Sequence, residues 1–272
     1  MSARPRFAYA QARLQARYAA LPVEADWRRL SGARSLSGWL EEARGGALRD
    51  WVEGFSAHSD AHDIERGLRA TLADAIGGVA ALLPEPWRPA VDWCRWLALL
   101  ELLRAARDGV PAPGWMRWDP RLAPLLDGDG GLDPGALQSA GAERLLGADA
   151  PLLVWQTEWR RRWPRGPAAQ LEALDALVRR LAAHERAFRE AAPDDAWTLR
   201  QQLRERLCLE FHRHLQQPAT AFIYLALVAL DLERLRRALL DRLLFEPPAA
   251  EKAPDGGPDA ALRAGPPARE VA

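Results

Sequence analysis

One helix-pair pattern occurs twice in this chain, and it constrains the fold more than any single residue does. Leu68-Arg69-x-x-Leu72 is followed by Trp96-Leu97-Ala98-Leu99-Leu100-Glu101-Leu102-x-Arg104. Later, Leu203-Arg204-x-x-Leu207 is followed by Leu225-Ala226-Leu227-Val228-Ala229-Leu230-Asp231-Leu232-x-Arg234. Each copy joins an amphipathic helix to a strongly apolar one that is interrupted by an acid and, three residues on, by an arginine. Such an apolar helix has to be shielded from water, and its amphipathic neighbour is the nearest shield. The pattern predicts an all-α protein of pseudo-repeated helical hairpins, built as a scaffold rather than around a pocket.

Periodicity extends this reading along the chain. Phe7, Ala10, Leu14, Tyr18 and Leu21 recur at helical spacing, as do Leu36, Leu40, Ala43, Ala47, Trp51 and Phe55, the latter series broken at Gly45-Gly46. Ser59 or Asp60 is placed to cap a helix with Ile64, Leu68, Leu72, Ala75 and Val79 on one face, expected to fray at Gly77-Gly78. A Trp-rich helix over Pro89 to Arg107 closes an N-terminal repeat, residues 1–107. Eleven of the 28 residues from Asp108 to Gly135 are glycine or proline, too many for a continuous helix, so 108–148 reads as a connector with short helices. The second repeat, 149–245, holds helices over Asp149 to Trp163, Ala168 to Ala191, a segment capped by Asp194 or Asp195, and an apolar helix from Pro218 to about Phe245. Residues 246–272 carry proline, glycine, alanine and charge with few large apolar side chains, and are expected to be disordered.

Charge and cysteine content narrow the partners. Lysine plus arginine and aspartate plus glutamate are both 37, so no net positive field favours nucleic acid. Cys94 and Cys208, each within a helical apolar pattern, fit buried thiols in a reducing, cytoplasmic setting. The basic Met1 to Phe7 stretch has no apolar run behind it, so no export signal is expected. The run Ala219 to Leu230, interrupted by Thr220, falls short of the roughly 20 residues that span a bilayer.

Candidate reactive groups are few. His58, His62 and Glu65 have ligand-like spacing on a continuous helix, but a helix start at Ser59 or Asp60 would take His58 off it. Cys208 and His212, four apart, could take a third ligand from His184, although isolated residues of these types on semi-apolar faces more often line a core. Asp194-Asp195 lacks the third acid of a metal cluster. No phosphate-binding glycine loop with its lysine is present, nor a nucleophile elbow. The sequence therefore predicts no catalytic residue, cofactor, bound metal or small-molecule substrate. Twelve tryptophans serve mainly as wedges between helices. Trp159, Arg160, Arg161, Arg162 and Trp163 form the most surface-like cluster and the candidate docking site for a protein partner.

Three stretches resemble the C/d-type family, the central-stalk adaptors of V-type and A-type rotary ATPases. Phe7-Ala8-Tyr9-Ala10-x-Ala12-Arg13-Leu14-x-Ala16-Arg17 is similar to the family's opening helix, and Asp63-Ile64-Glu65-Arg66-x-Leu68-Arg69 to its acidic-Glu-Arg segment. Arg206 to Leu244, with Gln217-Pro218 before an apolar helix carrying Asp231-Leu232-Glu233-x-Leu235-Arg236, resembles its closing helix pair. The resemblance implies the family's all-helical fold, shortened in the middle where members carry a further helical unit. It implies a non-enzymatic subunit linking the soluble-sector axle to the membrane proteolipid ring for ion transport, held at the inner face of the cell membrane through partner subunits alone. A free-standing interaction scaffold and a metal-dependent helical enzyme are the alternatives.

Overall fold

The computed structural model describes residues 3–146, 148 and 150–245. Helices account for the regular structure of the described residues, and an isolated antiparallel bridge between Leu126 and Leu132 is the one strand-like pairing among them. The expected disordered tail, 246–272, lies outside the described residues.

The N-terminal segment contains α1 (Ala3–Ala19), α2 (Glu24–Leu30), α3 (Leu36–Arg44), α4 (Arg49–Val52) and α5 (Ala61–Leu82). Asp60 caps α5 by accepting the Asp63 N–H at 2.8 Å, and Asp63 reciprocates toward the Asp60 N–H. This capping box satisfies two donors that the first turn leaves orphaned. It also leaves His58 outside the helix, as the spacing predicted. Gly77-Gly78, expected to fray α5, instead lies within it. A Cβ on Gly78 would meet the Arg17 guanidinium of α1 at 2.8 Å, so the missing side chain lets the two helices close together.

The Trp-rich segment departs from one continuous helix. It divides into α6 (Arg88–Asp92), a 3-10 stretch over Trp93–Leu99 and α7 (Leu100–Arg107). Runs of 3-10 helix beyond three or four residues are uncommon because their hydrogen bonds are poorly aligned. Here side chains from elsewhere in the chain take the backbone carbonyls. Arg69 donates to Ala98 O, the Trp155 indole to Trp93 O at 3.0 Å, and the Trp159 indole to Ala90 O at 3.0 Å. The local pattern of apolar residues contains no sign of these distant donors.

Beyond the connector come α8 (Pro134–Ser139), α9 (Glu143–Leu146), α10 (Pro151–Arg161), α11 (Ala168–Glu190), α12 (Pro193–Arg213) and α13 (Pro218–Phe245). The expected acidic cap on α12 is replaced by Ala192 at the cap position, with Pro193 opening the helix. Proline fits there because its missing N–H has no partner in the first turn. At 28 residues, α13 is about 42 Å long, and its first half is buried nearly all round, Ala219, Ala221 and Leu227 completely.

Helix α13 packs along α5 as extensively as along α12, and also meets α1, α3 and α11. Packing thus crosses the segment boundaries drawn from connectivity. Arg234 of α13 pairs with Glu24 of α2, Arg236 with Glu65 of α5, and Arg242 donates to Ala33 O and Leu30 O. The two pseudo-repeats also differ at their shared acid. Asp231 is 1 % exposed and takes two hydrogen bonds from Arg204 of α12, at 2.8 and 3.1 Å. Glu101 lies at the surface with Arg104 at 3.1 Å. Arg204 spans further, to Pro22 O at 2.8 Å, and so ties α12, α13 and the α1–α2 turn together.

Arg204→Ala strands a buried carboxylate and should cost about 3–5 kcal/mol, measured by denaturant unfolding. Arg204→Met combined with Asp231→Leu should recover most of that loss. Two glycines of α5 predict opposite signs. Gly77 faces open space, so Gly77→Ala should stabilise by about 0.5–1 kcal/mol through helix propensity. A Cβ on Gly67 would stand 2.5 Å from the buried Phe55 ring, so Gly67→Ala should lower the melting temperature.

Candidate partner interface

The end of helix α10 and the turn after it carry the cluster expected at the surface, and two aromatic rings of α10 turn inward. Trp155 and Trp159, one helical turn apart, stack with ring centroids 5.4 Å apart at 20°. Trp159 meets Trp163 and Phe222 of α13 edge-on, each at 4.9 Å. The Trp93 indole donates to Trp155 O at 3.1 Å while the Trp155 indole donates to Trp93 O, a reciprocal clasp between the 3-10 stretch and α10. Trp159 is 3 % exposed. It is a joint inside the protein rather than a docking residue, because its indole N–H finds a backbone acceptor there and its ring finds three aromatic neighbours.

The arginines of the cluster brace this joint. The Arg162 guanidinium lies 3.7 Å over the Trp93 ring and bonds Glu158 at 3.0 Å. Arg161 and Arg144 reach the other Glu158 oxygen at 2.6 and 3.0 Å, and Arg160 pairs with Asp175 of α11 at 2.9 Å. Trp163 is half-buried, which leaves Arg160 and Arg161 as the exposed members of the predicted set. Burial pushes the Glu158 carboxyl up, but the hydrogen bond from Arg162 and the charges of Arg161, Arg162 and Arg144 outweigh it and hold the pKa below its usual 4.5.

The candidate metal ligands do not converge. His58 sits in the turn before α5, His62 in its first turn, and Glu65 pairs with Arg236 and Arg69. Tyr18 of α1 stacks on Phe211 at 4.3 Å and meets His212 edge-on at 5.1 Å. Burial and its hydrogen bond with Cys208 push the Tyr18 hydroxyl up to about 12. Its ring thus fills the space beside Cys208 and His212, while His184 lies with Phe188 on α11, its pKa lowered by burial and by Arg200. Among the described residues no three His, Cys, Asp or Glu side chains are grouped to hold a metal ion. Burial also pushes the Cys94 thiol up, so it stays protonated.

No motif in the sequence announces a groove of about 660 Å3 that lies between α2, α11, α12 and the second half of α13. Arg234 lies between the Trp27 and Trp197 rings, 4.6 Å from each centroid, and bonds both Glu24 oxygens at 2.6 and 3.0 Å. Arg200 covers the Phe188 ring at 4.3 Å and pairs with Glu233. Five arginines and five acids line the groove, so it offers alternating charge rather than a field of one sign. The available signal was the spacing of Glu233, Arg236, Arg237, Asp241 and Leu244, exposed positions that make the second half of α13 amphipathic. The chain matches no protein-family model, no curated protein and no solved structure.

Because the Glu158 pKa is depressed on folding, its stabilising contribution is full above about 4.5 and is lost as pH falls through the lower folded value. The stability difference between wild type and Glu158→Gln should therefore be largest near neutrality and shrink below pH 4.5, read from denaturant midpoints across that range.

Proposed function

We propose that this chain is a non-catalytic central-stalk subunit of a bacterial V/A-type rotary ATPase, linking the soluble-sector axle to the membrane proteolipid ring. The observation that carries the reading is the placement of the motif-bearing closing helix pair. The stretch that resembles the family's last two helices forms α12 and α13, joined by the buried Arg204–Asp231 pair, and α13 is clamped to α2 and α5 by Arg234 and Arg236. A subunit that passes torque by shape needs one rigid body more than it needs a reactive group. Pairing arginines across helices limits their sliding, because each guanidinium fork is satisfied in one register. The mixed-charge groove beside α13 suits the polar surface of a helical partner. No helix among the described residues is long and apolar enough to cross a membrane, so contact with the ring would run through polar surfaces and partner subunits.

Capture of the tagged full chain from gently solubilised native membranes should recover catalytic, axle and proteolipid subunits. Arg237→Glu combined with Leu244→Glu, both exposed at the groove, should reduce that recovery at least fivefold while leaving thermal stability within a few degrees. Recovery of no ATPase subunit at salt that preserves such complexes would overturn the proposal and favour the free-standing scaffold.

A further inference from the structure

Besides the α13 groove, a cavity of about 250 Å3 lies between α5, the 3-10 stretch, α10, α11 and the first half of α13. The Arg160–Asp175 pair, at 2.9 Å, pins α10 to α11 near one end of it. One and two turns before Arg160, Gln156 and Leu152 line the cavity, and beyond Asp175 so do Leu181 and Glu185. On α13 the lining face reads Phe222, Ala226 and Ala229 at helical spacing. The two alanines leave the space. Ala226 is half-buried and Ala229 exposed, in a helix that otherwise fills its surroundings with large side chains.

The remaining walls are hydrocarbon and aromatic ring, from Leu72, Ile76, Leu97, Trp155, Trp159 and Leu177. Leu97 is 41 % exposed, and Leu72, Leu152 and Leu181 are half-buried, so the apolar surface can be reached from solvent. The polar groups of the lining are nearly all engaged. The Trp155 and Trp159 indoles donate to Trp93 O and Ala90 O. Glu185 pairs with Arg189 at 2.5 Å. The Cys94 thiol, kept protonated by burial, donates to Ala90 O at 3.7 Å. Gln156 alone keeps an unengaged side-chain amide among the described residues. A buried water needs two to four polar partners, which this lining does not supply. No arginine, lysine or histidine lines the cavity to receive an anion.

We propose that this cavity binds an uncharged ring compound of about two fused rings, its hydrocarbon laid on Ala226, Ala229 and Leu181 and a single hydroxyl held by the Gln156 amide. The size follows from volume: a cavity of about 150 Å3 lined by leucine, isoleucine and phenylalanine stays dry and takes benzene. The charge follows from the lining. An anion would lose its hydration beside Glu185 with no cation to replace it, and Glu185 is already neutralised against a cation. An amide offers both donors and an acceptor, so it can take a hydroxyl in either sense. An empty apolar cavity forfeits dispersion contacts that an occupant restores, so binding should stabilise the fold where α10 and α11 cover α13. This inference stands independently of the rotary-ATPase reading.

Titration of the full chain with 2-naphthol near neutral pH, where its hydroxyl stays protonated, tests it by calorimetry and thermal unfolding. 2-Naphthol should bind and raise the melting temperature, while 2-naphthoate, the same rings bearing a charge, should bind at least tenfold more weakly. Gln156→Leu should weaken 2-naphthol at least threefold with an unchanged circular-dichroism spectrum. Ala226→Leu fills the cavity from α13 and should weaken binding at least tenfold. Ala182→Leu fills it from α11 and should do the same, which covers the case in which the first substitution disturbs packing. Absence of 2-naphthol binding, equal affinity for 2-naphthoate, or wild-type affinity in Gln156→Leu or in a folded cavity-filling variant would each overturn the proposal. So would a dimer in sedimentation that Ala226→Leu dissociates, since a second copy would then occupy the cavity.

Discussion

Helix α13 is apolar around nearly its whole circumference through its first half, and the other elements are arranged to keep that surface from water. Burying a leucine or phenylalanine side chain is worth about 1.5–3 kcal/mol, so a helix with Phe222, Ile223, Leu225, Leu227, Val228 and Leu232 all buried is the largest single source of cohesion visible in the fold. One amphipathic neighbour covers only one side of such a helix. That is why α5, from the first pseudo-repeat, packs on it alongside α12, and why α1, α3 and α11 complete the shell. The two halves are consequently parts of a single core.

Enclosing an apolar helix in this way creates a second requirement, the satisfaction of backbone carbonyls wherever regular helix gives out. Arginine and tryptophan meet it. Arg242, Arg204, Arg69 and Arg44 donate to carbonyls in the turns and irregular stretches around the core, and the three buried indoles of Trp93, Trp155 and Trp159 do the same at the α10 joint. Leaving such a carbonyl buried and unpaired would cost about 1–3 kcal/mol. Most of the tryptophans are thus structural, their rings filling volume between helices, and those of Trp93, Trp155 and Trp159 also close a hydrogen bond through the indole N–H. The proposed adaptor role draws on the same feature, because a body cross-linked by guanidinium forks resists shear between its helices.

Much of the helical layout was legible in the residues. Alternation at three and four positions marked α1, α5, α11 and α13, and Asp60 with Asp63 marked the start of α5, because these signals act within a few residues of one another. Three expectations failed where distant groups intervened. Gly78 does not break α5, since Arg17 of α1 occupies the space it leaves. The Trp-rich helix becomes 3-10 in its middle, since Arg69, Trp155 and Trp159 take carbonyls that a regular helix would use itself. Trp159 turns inward, since a ring flanked by arginines in sequence can be flanked by aromatics in space. Of the candidate sites, the docking cluster was visible as composition, with Arg160 and Arg161 exposed but Trp159 turned inward, and the α13 groove was signalled only by the charged spacing in the second half of a helix whose first half is apolar all round.

The residues alone specify the all-helical class, the presence of two similar helix pairs and the places of α1, α11 and α13, because helix formation depends on spacing, capping and breakers within a few positions. How unequal those pairs are follows from packing. It buried Asp231 against Arg204 and left Glu101 at the surface, placed α13 at the centre and broke its counterpart into three pieces. The physical reason is that two helices of similar pattern cannot both occupy the middle of one core: the longer and more apolar one takes it, and the other adapts its backbone to what remains.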